Sequence, residues 1–172
     1  MPPIVVNDLF AIVMRDMDDE NAIRSVPAVF LRHASRAHQW VALCFQLLRE
    51  TFPLTLYANT PVYTLAATHP RLVVVTHMSH SSDGVPLHRV PLTSLRYKDL
   101  AWFATTGAPG LFYRIGWRLV GVQPVPNASE TVLVAGLILP APLTDMASPL
   151  AIPNSYLPHL GQVTAGLMMV AG

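Results

Sequence analysis

Apolar positions recur at three- and four-residue steps through the first fifty residues, and at two-residue steps after residue 51. Leu9, Ile12, Val13 and Met17 predict a first helix over about residues 8–17, which Asn7 or Asp8 can cap. Asp16 to Glu20 sit at the wrong end for the helix dipole, so the helix is expected to stop there. Phe30, Ala34, Ala37, Val41, Cys44 or Phe45, and Leu48 form one stripe and predict a long second helix over 27–50. Ser25 precedes it, Pro27 fits its first turn, and Pro53 forbids its continuation. Arg32 and Arg36 fall together on another face of that helix.

Beyond it, Phe52, Leu54 and Leu56 alternate with polar residues, and Val62 to Leu65 follow the Asn59-Thr60-Pro61 turn. Leu72 to Thr76 is a β-branched run expected to be a buried strand. Ser81 to Gly84 reads as a turn and Pro86 to Val90 as a return strand. A short helix over 93–105, with Leu95, Leu100 and Trp102 or Phe103 inward, ends at Gly107-Ala108-Pro109-Gly110. Two strands follow, joined at Gly116, then a loop at Gln123 to Asn127 and a strand from Thr131 to Leu139. Residues 140–172 hold five prolines and one charge, Asp145. They read as an extended arm with a helical or irregular end after 155. The fold class is therefore α+β. Helices at about 8–17 and 27–50 pack on an antiparallel β-sheet or sandwich at about 51–139, with one short inserted helix. The predicted division is a single domain over 1–139 and a proline-rich C-terminal arm over 140–172. That arm is expected to leave the domain and dock on another chain, the alternative being that it wraps its own sheet.

Composition narrows the function. Of the 172 residues, 52% are hydrophobic and 12% charged, about half the charge of an ordinary soluble domain. So little charged surface points to a chain that covers itself with other chains. The mean hydropathy is +0.40, yet the longest apolar run, Val132 to Pro142, is shorter than a membrane-spanning helix. The first residues lack a basic stretch followed by a long apolar one, so no signal peptide is expected. Net charge is +1, which excludes a binder that holds nucleic acid by charge alone. The charge is uneven: residues 1–20 carry net −4 and the remainder net +5. Ten of the eleven bases are arginine, which suits bidentate ion pairs at interfaces. A lone cysteine, Cys44, excludes an intrachain disulfide framework and a multi-cysteine zinc site, and it falls on the apolar stripe as a core residue.

Several residues invite a catalytic reading. His77, His80 and His88 flank Ser79, Ser81, Ser82 and Asp83, and triads are defined by geometry rather than order. No serine lies in a Gly-x-Ser-x-Gly elbow, and a polar hairpin tip accounts for the cluster. His77 and His80 lack a third metal ligand of obvious spacing, and His33 and His38, five apart, point to different helix faces. The run from Asp16 to Glu20 starts like a calcium loop, but Asn21 stands at its sixth position and Pro27 at its twelfth. Asn127-Ala128-Ser129 matches a glycosylation acceptor with nothing to indicate secretion. No residue is assigned a catalytic, cofactor-binding or metal-binding role.

Five weak motifs in order carry a resemblance. They are Tyr63-Thr-Leu65-Ala66 before Arg71-Leu-Val-Val; Trp102 before Gly107-Ala108-Pro109; Tyr113; Pro124-Val125-Pro126; and Asp145 before Pro149-Leu-Ala-Ile152-Pro153-Asn-Ser-Tyr156. The helix from Asp8 to Asp16 fits loosely as well. From Thr51 to Pro153 the chain resembles the head-to-tail adaptor, or connector, proteins of tailed bacteriophages. The resemblance implies a non-enzymatic virion protein at the head–tail junction, made in the host cytoplasm. It would form a ring, usually a dodecamer, beneath the portal protein ring. That ring would continue the DNA channel and receive the tail tube, nozzle or other tail proteins. Genomic DNA would pass through without sequence-specific binding, and neither cofactor nor membrane is implied. The alternatives are a head-completion or tail-tube component, or a small hydrolase built on the His77–His88 segment.

Overall fold

The computed structural model describes residues 4–16, 27–98 and 101–171, and in it helices occupy both ends of the chain and strands the middle. The chain divides into two units: Met1–Leu48 with Leu139–Gly172, and Arg49–Ile138. The expected α+β class holds. The C-terminal segment, however, belongs with the N-terminal helices rather than standing apart as an arm.

The helical unit contains α1 (Val6–Asp16), α2 (Pro27–Cys44) and α4 (Leu157–Ala171). Helix α1 begins two residues earlier than the apolar period indicates, because Asp8 caps it from inside: its carboxylate accepts the Val5 N–H at 3.1 Å. The predicted first-helix residue Met17 lies outside the described residues. Val6, Leu9, Val13 and Met14 of α1 meet Phe30, Ala34, Ala37, Val41 and Ala42 of α2 in one core. Phe10 stands edge-on to Phe30, with centroids 4.8 Å apart. The rest of this core comes from the C-terminal quarter: Leu143, Leu150 and Ile152, then Leu160 and Ala165 of α4. The helix stripe thus closes on residues the sequence pattern left as an arm. A stretch of extended chain satisfies its backbone against the helices. Val6 and Asn7 donate to the Ser148 and Met146 carbonyls, and Leu150 donates to Ile4. Ser35 Oγ accepts the Leu143 N–H at 3.2 Å. Pro158, in the first turn of α4, needs no hydrogen-bond partner there.

Helix α2 stops at Cys44, six residues before its predicted end, in a turn where Gln46 has a positive φ. At that end of the helix Cys44 and Phe45 are exposed rather than buried. His33 and His38, five residues apart on α2, are both buried.

The strand unit is a sandwich. Its three-stranded sheet has the order β1 (Arg49–Leu56), β9 (Glu130–Ile138), β3 (Leu72–His80), all antiparallel. Its four-stranded sheet has the order β2 (Val62–Thr64), β7 (Leu119–Gln123), β6 (Leu111–Arg114), β4 (His88–Arg89). Strand β4 runs parallel to β6, so the predicted return strand crosses to the second sheet after a single bridge, Ser79 to Pro86. A third, two-stranded parallel pair joins β5 (Thr106–Gly107) to β8 (Val125–Pro126), where a plain loop was expected. Phe52, Leu56, Leu72, Val75, Met78, Val132 and Val134 from one sheet pack on Tyr63, Phe112, Val120 and Val122 from the other. The register of β3 slips twice against β9, pairing Leu72 with Ile138 and Val75 with Gly136, and the Leu72 side chain lies against Gly136. A Cβ there would run into Leu72 Cδ1 and lie 2.9 Å from the Val74 carbonyl. The expected short helix is α3 (Leu92–Lys98) followed by a 3₁₀ turn at Trp102–Ala104. Leu95 is buried as expected; Leu100 lies outside the described residues.

Candidate functional site

The His77–His88 segment is a turn whose polar groups bind backbone. Ser81 Oγ donates to the Thr131 carbonyl at 2.8 Å, and Asp83 Oδ1 accepts the Val85 N–H at 3.0 Å. His80 is held on both sides by acceptors: Nε2 donates to the Pro109 carbonyl at 2.9 Å, and Nδ1 lies 3.1 Å from Glu130 Oε2. His77 and His88 are exposed on their strands. The fold therefore brings no serine hydroxyl of this segment into hydrogen-bond reach of an imidazole. Among the described residues, no group of three His, Cys, Asp or Glu side chains could hold a metal ion. Asn127 to Ser129 form an exposed bend, and of the acidic run only Asp16 lies among the described residues. No described helix is long and apolar enough to cross a membrane.

What the surface offers instead is apolar area. In the strand unit, the β6–β7 hairpin is closed by Ile115 N–H donating to the Leu119 carbonyl at 3.1 Å, which leaves Gly116, Trp117 and Arg118 at the tip. Trp117 is 69% exposed, with Ile115 and Leu119 exposed on either side. The β2–β7 register sets Thr64 opposite Leu119 and Val62 opposite Gly121, so exposed Val62 extends the same sheet face. The face is then floored by Tyr113, which lies over Gly121 and takes Trp102 edge-on at 5.2 Å. Of Trp102 and Phe103, one of which was expected to point inward, Trp102 is half-buried there and Phe103 is 61% exposed. The turn beside it is braced by Tyr63, whose hydroxyl donates to the Thr60 carbonyl at 2.7 Å and accepts the Tyr57 N–H at 2.9 Å. Burial is the largest influence on that phenol and pushes its pKa up. The helical unit exposes Val29, Trp40, Phe45 and Met169.

A sequence pattern could have located the hairpin tip, since Gly116 interrupts two apolar strands. It could not have shown which aromatics stay outside. Isolated exposed apolar residues are ordinary, but these are large and grouped on one sheet face, as at protein–protein contacts.

The family model of the SU10 adaptor protein matches residues 6–163, spanning both units. The chain belongs to that family. It is an adaptor of bacteriophages, a structural protein of the virion that acts in tail assembly. The match extends the resemblance carried by residues 51–153 to the N-terminal helices and into α4. A search of curated proteins found no match. The adaptor thus combines a grouped exposed apolar surface with a scarcity of charge.

Proposed function

We propose that the adaptor assembles as a ring beneath the portal at the head–tail junction, continues the DNA channel, and presents the surface on which the tail is attached. The observation that carries this reading is the family match over residues 6–163. The surface supports it. A ring subunit has two lateral and two axial faces to cover, and repeated heterologous contacts close by rotation. The adaptor exposes large apolar side chains on each of its units. Its near-neutral charge suits a channel that DNA slides through without being held. The portal ring and the tail tube or nozzle are the partners of this reading, and a dodecamer is its expected copy number.

Co-sedimentation with purified portal rings tests it. The adaptor should migrate with the portal in a fixed ratio above micromolar concentration, and without a tail protein present. An adaptor that remains a free monomer beside the portal would remove the reading.

A further inference from the structure

The exposed face of α2 carries Val29, Arg32, Arg36 and Trp40 at steps of three, four and four, so they line one side of the helix over about three turns. Trp40 is 56% exposed and Val29 39%. Helix α2 contains no acidic residue. Among the described residues neither Arg32 nor Arg36 makes an ion pair. The stripe therefore presents two uncompensated guanidinium groups between two apolar side chains. Tryptophan and arginine are the residues that dominate binding energy at protein contacts. A guanidinium fork fits a carboxylate in two parallel hydrogen bonds.

The same chain carries the complement. Asp16, Asp18, Asp19 and Glu20 put four carboxylates in five positions, and residues 1–20 are net −4 against net +5 for the rest. Given the ring proposed above, on which this step rests, each subunit shows one lateral face to a neighbour and the opposite face to the next. We infer that the α2 stripe is one half of the subunit–subunit contact, and that its occupant is the acidic run Asp16 to Glu20 of the adjacent copy. Charge of opposite sign on the two lateral faces fixes the order of subunits and disfavours face-to-face pairing of like surfaces. Val29 and Trp40 supply the apolar contact at either end.

Charge reversal tests the contact. One chain carries Arg32→Glu with Arg36→Glu; a second carries Asp18→Lys, Asp19→Lys and Glu20→Lys. Circular dichroism checks that each folds, and electron microscopy on portal rings reads assembly. Each reversed chain alone faces like charge with like and should lose the ring. An equimolar mixture restores opposite charge at every interface, because the acidic stripe of the first meets the basic run of the second and their untouched faces meet as before. The mixture should therefore recover the wild-type ring. Assembly of either reversed chain alone at the wild-type level overturns the inference. So does a mixture that fails to assemble, since pairing within one chain cannot be repaired by a neighbour. Both results leave the ring reading intact, whereas a wild-type chain that forms no ring on the portal removes that reading and this inference with it.

Discussion

The backbone N–H of Ala151 donates to Nε2 of His38 at 3.2 Å, tying the C-terminal segment to the middle of α2. His38 is 1% exposed, and its Nδ1 has no hydrogen-bond partner. Nε2 can accept only while the ring is neutral; a proton there would set one donor against another.

Acid should therefore loosen the helical unit. Burial lowers the His38 pKa from 6.5 to about 4. Burial first, then the Arg32 and Arg36 charges, lowers that of His33. The unfolded chain binds these protons at a higher pH than the folded one. The stability is thus complete above pH 6.5, falls as pH drops toward 4, and changes little from His38 below that. The His38 share is about 3 kcal/mol. His38→Gln keeps an acceptor for Ala151 and removes the titration, so its unfolding free energy between pH 4 and 6.5 should be flatter than wild type. Parallel curves for the two proteins would show that His38 is not the titrating group.

Truncation probes the same packing. Leu160 is fully buried beside α1 and α2, so Leu160→Ala should cost about 2–5 kcal/mol. Removing residues 155–172 strips Leu160 and Ala165 from the core and should unfold the helical unit, seen as a loss of helical circular dichroism. A truncated chain with its N-terminal helices intact would mean that the segment contributes nothing to that core.

In the strand unit the sensitive position is Gly121. Tyr113 occupies the space a Cβ would need, so Gly121→Ala must displace a ring that is itself buried. The expected cost is about 1–3 kcal/mol. Combined with Tyr113→Leu, the loss should be smaller than the two single losses together, because the shorter side chain vacates the site. Strict additivity in urea unfolding would contradict the stacking.

The elements were legible where a local rule governs them. The period of Phe30, Ala34, Ala37 and Val41 located α2, and the β-branched run from Leu72 located β3. Gly116 between two apolar runs located the β6–β7 hairpin. What was not legible depends on contacts distant in sequence. Nothing local says that Leu150 will donate to Ile4, or that Ala151 will find His38, and five prolines with one charge read as an arm for that reason. The crossing of β4 to β6 is likewise set by partners more than twenty residues away. Apolar surface was legible only as a surplus in composition. That Trp117 and Trp40 are exposed while Trp102 is half-buried follows from the sheet and helix faces they occupy.

The proposed role is tested most directly by negative-stain electron microscopy of portal rings incubated with the adaptor. The account predicts a single added ring, coaxial with the portal, with an open central channel and no growth beyond one layer. Bare portals at saturating adaptor, or adaptor that stacks on itself into tubes without the portal, would contradict it.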